Sequence, residues 1–345
     1  MIDAKSTLMF AEAAEAARVV AHQIDQNAPL IGSLAGRLRG LDPQIAFTCA
    51  RGSSDHAATF AKYLFETRLK VPVLSQAPSM SSIYGGPLLH MKGQPFFLIS
   101  QSGKSPDLLL SAAAAKKAGA LVIAFVNDLE SPLAGLAEIV VPLLAGPEKS
   151  VAATKSYIAT LAALAHLAAE WSGDAALRTA VFGLPEKLSS AWQTDWSAAL
   201  DPLQTAQSLF VLGRGLTLGI AQEAALKFKE TSGQHAEAFS IAEVAHGPMA
   251  LVGPDFPLLI FPPLDKAALG VESILAQFAK RGATSVVVGT NYPETKPLPL
   301  EAGLHPVVGP IVMVQSFYKL INQLAVARGF DPDRPPLLSK VTETR

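Results

Sequence analysis

Two short segments of this 345-residue chain bring together hydroxyls, a glycine and the start of a helix in a pattern suited to holding an anion. One is Arg51-Gly52-Ser53-Ser54-Asp55, directly after the apolar run 45–50. The other is Ser100-Gln101-Ser102-Gly103-Lys104-Ser105, directly after the apolar run 96–99. A helix start supplies backbone N–H groups without intrahelical acceptors and a partial positive charge. The hydroxyls of Ser100, Ser102 and Ser105 add donors, and Ser54 is placed to cap the helix that follows it. Each turn alone is also compatible with ordinary serine capping. Two of them at neighbouring strand ends form a cradle suited to one phosphate monoester.

Acid–base groups cluster in the second half. Glu223, Lys227 and Glu230 stand at i, i+4 and i+7, on one helical face. That spacing fits either a solvated ion-pair ladder or a general base, Glu230, carried at the end of a helix. His246-Gly247-Pro248 offers an imidazole, which titrates near neutral pH, although a lone histidine also serves structural ends. The segment Glu148-Lys149-Ser150-Val151-Ala152-Ala153-Thr154-Lys155 joins a strand end to a long helix that Thr154 is placed to cap. Nucleotide loops do not fit: Gly103-Lys104-Ser105 lacks the first glycine of a P-loop, and no Gly-x-Gly-x-x-Gly follows a strand. No His-x-x-x-His lies on an expected helix, so neither a metal nor any other cofactor is expected. No Gly-x-Ser-x-Gly elbow appears. The single cysteine, Cys49, lies in an apolar run and reads as a buried core residue.

Elements that could position these groups alternate along the chain. Strands are expected over 45–50, 72–75, 96–100, 121–126 and 139–143, with helices over 55–69 and 106–118. In the second half, strands are expected over 208–213, 258–261 and 285–289, with helices over 216–231, 266–280 and 311–328. Strand–helix–strand units at this spacing imply right-handed crossovers and a parallel sheet. Continuously apolar strands imply a sheet covered on both faces. The Ala-rich stretch 6–39 reads as two helices broken at Pro29, and 155–171 and 185–199 read as further helices. Their apolar stripes call for cover by the other half or by a second subunit. The Pro-rich tail after Arg328 is expected to pack back onto the protein.

The two halves repeat. Arg51-Gly52 matches Arg214-Gly215 at an offset of 163 residues, and Gly86-Pro87 matches Gly247-Pro248 at 161. Lys117-Ala118-Gly119-Ala120 matches Lys280-Arg281-Gly282-Ala283 at 163. A period this long means a duplicated domain rather than a solenoid, in line with about 150 residues per domain. The division expected is N-terminal helices 1–40, a first domain 41–172, a helical linker 173–204, a second domain 205–328 and a tail 329–345 that closes the active site. With 50% hydrophobic and 17% charged residues the chain is not expected to be disordered. A net charge of −1 provides no global field to recruit nucleic acid or membrane. The N-terminus carries Asp3, Glu12 and Glu15 and lacks a signal-peptide pattern. The apolar stretch 157–169 is interrupted by His166 and is too short to span a bilayer. A cytoplasmic protein is expected.

These motifs resemble the isomerase half of glucosamine-6-phosphate synthase and the stand-alone glucosamine-6-phosphate deaminases of the SIS (sugar isomerase) superfamily. The resemblance runs from about Phe47 to Thr342. It rests on Ser100-Gln101-Ser102-Gly103, Ser150-Val151-Ala152-Ala153-Thr154-Lys155, Ala224-Ala225-Leu226-Lys227-Phe228-Lys229-Glu230, His235-Ala236-Glu237-Ala238, His246-Gly247-Pro248 and Lys340-Val341-Thr342. It implies an α/β protein of two tandem SIS domains, each a flavodoxin-like parallel sheet flanked by helices. It implies that Ser53, Ser54, Ser100, Gln101, Ser102 and Ser105 hold the phosphate and sugar hydroxyls, with Val151, Ala153, Lys227 and Ser339 also binding substrate. By the same resemblance Glu230 shuttles a proton between C1 and C2, and His246 opens the sugar ring from a neighbouring subunit of a homodimer. Lys340 engages the open-chain carbonyl. Each role suits its chemistry: a carboxylate can carry a proton across one face, imidazole works near pH 7, and lysine condenses with carbonyls.

The chain departs from the synthases in two places. They have serine at the position of Ala153 and an Arg-Asn pair where this chain has Pro336-Leu337. It also has no N-terminal catalytic cysteine, so glutaminase activity is not expected. The activity implied is conversion of an amino-sugar 6-phosphate, glucosamine 6-phosphate first, to fructose 6-phosphate and ammonia. The alternatives are isomerisation or deglycation of another hexose or fructosamine 6-phosphate, or non-catalytic sensing of a sugar phosphate.

Overall fold

The computed structural model describes residues 2–85 and 90–340. Gly86 and Pro87 of the repeat, and Val341 and Thr342 of the tail motif, lie outside the described residues. The chain opens with α1 (Leu8–Ala14) and α2 (Ala16–Leu41). The helix break expected at Pro29 falls instead at Glu15, and α2 runs through the proline. Pro29 is exposed, while Val20, Ile24, Ile31, Leu34 and Leu38 continue one buried stripe on either side of it. The Asp25 carbonyl that loses its N–H partner is also on an exposed residue, so packing outweighs the missing bond.

The first sheet contains β1 (Ala46–Ala50), β2 (Val73–Ser75), β3 (Pro95–Ser100), β4 (Leu121–Val126) and β5 (Ile139–Pro142). All pairings are parallel, in the order β2-β1-β3-β4-β5. The helices of this half are α3 (Ser53–Arg68), α4 (Ser79–Ser82), α5 (Pro106–Lys117), α6 (Pro132–Leu136), α7 (Lys155–Ser172) and α8 (Ala175–Phe182). Every residue of β1, β3 and β4 is buried, because helices cover both faces. On one face Phe47, Cys49, Phe96, Leu98 and Val122 meet Leu108, Ala112 and Ala115 of α5. On the other, Phe97 packs against Phe65 of α3 and Phe125, and Phe65 against Trp171 of α7. Each such fully buried side chain contributes about 1.5–3 kcal/mol of transfer free energy.

The second half carries α9 (Leu184–Gln193), α10 (Leu200–Gln204), β6 (Ser208–Gly213), α11 (Leu218–Ser232), β7 (His235–Ser240) and β8 (Pro257–Ile260). It continues through α12 (Val271–Lys280), β9 (Thr284–Val288), β10 (Lys296–Leu298) and α13 (Gly309–Ala327). This sheet is also all parallel, in the order β10-β9-β8-β6-β7. Counting strands within each half, both sheets have the flavodoxin-like order 2-1-3-4-5. The duplication extends to register: Ala46 pairs with Val73 and Ser208 with His235, an offset of 162 residues on both strands.

Some expected elements change. The helix expected over 266–280 is a short 3-10 turn, Lys266–Ala268, and then α12, separated at Gly270 with φ +87°. The helix expected over 185–199 ends at Gln193, with a second 3-10 turn at Ser197–Ala199. The chain divides into two compact units. The unit with the first sheet comprises Arg18–Glu148, Lys155–Phe182 and Ser339–Arg345. The unit with the second comprises Met1–Ala17, Lys149–Thr154 and Gly183–Leu338. Among the described residues no helix is long and apolar enough to cross a membrane.

Candidate active site

In the unit of the first sheet, both serine turns lie at carboxyl ends of neighbouring strands, β1 and β3, where the strand order reverses. Ligands of open α/β sheets bind at such a switch point. Ser54 does not cap α3. The helix starts at Ser53, and Gly52 takes the N-cap position with φ +55° and ψ −134° and no side-chain cap. Only glycine adopts that conformation at little cost, so the chain turns two residues earlier than the expected cap at Ser54. Ser53 and Ser54 therefore sit in the first turn, where N–H groups point out of the helix end.

The second turn is wound by its own hydroxyls. Gly103 N–H donates to Ser100 Oγ at 3.1 Å, and Lys104 N–H to Ser102 Oγ at 3.4 Å. Their O–H groups keep the capacity to donate outward. Gly103 has φ +63°, and a Cβ there would lie 2.2 Å from Ser131 Oγ, so any other residue would be strained and would have to displace Ser131. Asn127 N–H fixes the Gln101 carbonyl at 3.1 Å. Ser105 is the N-cap of α5, and its hydroxyl makes no capping bond. The two turns are tied by a side-chain pair the sequence did not suggest. Arg51 donates from Nε and Nη2 to Asp107 Oδ2, both at 2.8 Å, and Asp107 is fully buried in the first turn of α5.

The tail lysine belongs to the same unit. Lys340 Nζ lies 3.5 Å from Glu148 Oε2. Glu148 is buried, and its two oxygens accept from Ser156 N–H at 3.2 Å and Ser156 Oγ–H at 2.5 Å. Glu148 lies in the segment expected to join a strand end to a long helix, and its lysine partner stands 192 residues on, beyond the reach of local sequence pattern. Ser339 is exposed beside it.

In the unit of the second sheet, α11 carries a buried charge array. Lys227 Nζ lies 3.1 Å from Glu223 Oε1 and 2.8 Å from Glu230 Oε2, and the Tyr318 hydroxyl donates to Glu223 Oε1 at 3.0 Å. Glu223 and Lys227 are 0% and 1% exposed at the side chain, against 21% for Glu230. The solvated-ladder reading of this face is thus excluded. Burial alone would lower the Lys227 pKa, but the Glu223 and Glu230 carboxylates outweigh it and raise it, so the ammonium stays charged. Glu230, at the open end, lines a cavity of about 330 Å³ with Leu226, Lys229, Gly233, Phe330 and Leu338. Phe330 of the tail presses on Gly233, where a Cβ would lie 2.6 Å from the ring.

Val151 and Ala153 are half-buried in the connecting segment of this unit. Glu12 accepts from the N–H groups of Lys149 and Ser150, at 2.5 and 3.1 Å. His246 is exposed at the end of the 3-10 turn Glu243–His246, a different element from the one holding Lys227 and Glu230. Cys49 is buried, and burial pushes its thiol up to about 12, so it is neither charged nor nucleophilic.

The SIS domain model matches residues 43–170 and again 203–328. The chain is 40% identical to the crystal structure of a protein described as a phosphosugar isomerase from Silicibacter pomeroyi DSS-3, with a TM-score of 0.88, covering 95% of this chain and 100% of that one. It is 28% identical to the C-terminal domain of glucosamine-fructose-6-phosphate aminotransferase from Francisella tularensis, with a TM-score of 0.83, covering 96% and 98%. Glutamine–fructose-6-phosphate aminotransferase of Thermococcus kodakarensis is 33% identical over 347 residues, 96% of this chain but 57% of the relative. The chain thus spans little more than half the length of that relative.

Proposed function

Because the chain belongs to the SIS domain family, we propose that it is an aldose–ketose isomerase acting on an amino-sugar 6-phosphate, converting glucosamine 6-phosphate and water to fructose 6-phosphate and ammonia. The observation that carries this reading is the buried Glu223–Lys227–Glu230 array with Glu230 at its half-open end. A carboxylate fixed on one side by an ammonium is suited to take the proton from C2 and return it to C1 on the same face. As the C2 proton leaves, C1 and C2 become doubly bonded and the C1 carbonyl oxygen takes up a proton, giving an enolamine. Protonation at C1 gives the C2 imine, and water then replaces nitrogen with oxygen, releasing ammonia.

In this reading the turns at Ser53–Ser54 and at Ser100, Gln101, Ser102 and Ser105 take the phosphate and sugar hydroxyls, aided by Val151, Ala153, Lys227 and Ser339. Lys340, steered by Glu148 at 3.5 Å, engages the open-chain carbonyl by charge or as an imine. His246 serves ring opening; its exposure is what supply to the partner of a homodimer would need. Ala153 and Pro336-Leu337 favour deamination over the synthase reaction.

The test is ammonia release from glucosamine 6-phosphate, with fructose 6-phosphate measured in parallel. Glu230→Gln is expected to lower kcat at least a hundredfold, within the range general acid–base groups supply, while leaving substrate binding intact. Full turnover in that variant would remove Glu230 from the chemistry.

A further inference from the structure

The duplication supplies an internal control for the first pair of turns. Arg51 and Arg214 hold matching places, each leaving the first strand of its sheet and followed by a glycine with φ +55° or +60°. Each guanidinium crosses to the start of the helix that follows the third strand. Arg51 reaches Asp107, 56 residues on, and Arg214 Nη1 donates to the Leu269 carbonyl, 55 residues on, at 3.2 Å. The crossing is therefore a property of the fold, and a backbone carbonyl is enough to satisfy it.

Only the first copy places a fully buried carboxylate at the far end, and only there is the Arg-Gly pair followed by two serines. In the second copy Ser53-Ser54 is replaced by Leu216-Thr217, and the Thr217 hydroxyl is engaged with Phe261 O at 2.7 Å and Arg214 O at 3.0 Å. The serine turn after the third strand is replaced by Phe261-Pro262-Pro263-Leu264, where two prolines remove N–H donors. Carboxylate and hydroxyls thus occur together, in the copy that has the anion turns.

The geometry explains why they would. Asp107 takes one edge of the planar guanidinium through Nε and Nη2, which leaves three N–H groups for other acceptors. The arginine side chain remains 49% exposed. A buried carboxylate holds its cation firmly, because separating the pair would leave a charge without compensation. We infer that Arg51, oriented by Asp107, is a phosphate-binding residue of the first copy, presenting its free edge to a phosphate monoester dianion between the two serine turns. The guanidinium fork matches phosphate oxygens in a way an ammonium does not. This assignment rests on the sugar-phosphate reading given above.

The test uses the full chain, with inorganic phosphate as the binding probe and glucosamine 6-phosphate in the activity assay. Arg51→Met/Asp107→Leu removes both charges together, so no buried charge is stranded. Its affinity for inorganic phosphate, by calorimetry, is expected to fall about ten- to hundredfold, the effect of losing a hydrogen bond to a charged group. KM should rise by a similar factor with kcat within about threefold, because binding is lost equally in ground and transition states. Arg51→Lys keeps the charge and loses the fork, and should fall in between. Unchanged phosphate affinity in a folded double variant makes the arginine mere scaffold and overturns the inference. Should the double variant not fold, unchanged affinity in Arg51→Lys overturns it instead. Wild-type protein that binds neither inorganic phosphate nor any hexose 6-phosphate would sink the underlying reading, whatever the variants do.

Discussion

Replacing Lys227 with methionine tests the charge array most directly. The substitution roughly keeps side-chain length and helix propensity, but it deletes an ammonium 3.1 Å from Glu223 and 2.8 Å from Glu230. Glu223 is fully buried, so its carboxylate cannot turn to water for compensation. Removing one partner of a buried pair costs about 3–5 kcal/mol, whereas an exposed i,i+4 pair is worth about 0.3–0.5 kcal/mol. With a urea dependence of about 1–3 kcal/mol per molar, the variant should unfold more than about 1 M earlier. The chain has two compact units and need not unfold as one. Hydrogen exchange of the α11 amides at increasing urea therefore reads the right unit. Lys227→Met/Glu223→Leu should recover much of the loss, since the stranded carboxylate goes with the ammonium. A loss below about 1 kcal/mol in the single variant, or no recovery in the double, would show that the array is not the buried cluster described here.

Three further outcomes are expected. Gly103→Ala combines φ +63° with a Cβ 2.2 Å from Ser131 Oγ, whereas Gly52→Ala has φ +55° and open space. Both should lose about 1–3 kcal/mol from backbone strain, Gly103→Ala the more, and equal losses in thermal unfolding would remove the steric account. His166 is buried and its pKa is lowered from 6.5, chiefly by burial. The unfolded chain therefore takes up the proton first, so stability present above pH 6.5 is lost as pH falls towards the folded value. His166→Gln should flatten urea midpoints measured between pH 7.5 and 5, and an unchanged slope would count against it. Cys49, pushed from 9.0 to about 12, should resist a thiol reagent at pH 8 in the native protein and react at once in urea. Its stabilising effect is full below pH 9 and is lost as pH rises towards 12. Rapid stoichiometric labelling of native protein would contradict its burial.

What the sequence revealed of the fold follows from burial. The central strands β1, β3, β4, β6, β8 and β9 are buried along nearly their whole length and mostly apolar, because helices cover both faces, and such runs stand out against their surroundings. The two strands that went unread, β7 and β10, are the edges of the second sheet. His-Ala-Glu-Ala-Phe-Ser has little β propensity, and Lys-Pro-Leu carries a proline that only an edge tolerates. The edges of the first sheet were legible because Val73-Leu74 and Ile139-Val140-Val141 are rich in β-formers. At the site, the serine turns and α11 announced themselves by local spacing. Arg51–Asp107, Glu148–Lys340 and Glu223–Tyr318 did not, being separated by 56, 192 and 95 residues.

Those long-range pairs also explain how a duplicated fold can carry an unduplicated site. The two sheets share strand order and register, so the backbone offers the same switch point twice. On the reading proposed above, which copy takes the anion is decided by a few side chains at the strand ends. The first copy has Ser53, Ser54, Ser100, Ser102 and Ser105 at its strand ends, while prolines and an internally bonded threonine occupy corresponding positions in the second. The second copy instead carries polarity along α11, where Glu223, Lys227 and Tyr318 bury one another's charge and leave Glu230 half open. A charged array so deeply buried is a poor source of stability compared with apolar packing. Its presence in place of apolar packing is what the role proposed above for Glu230 would account for.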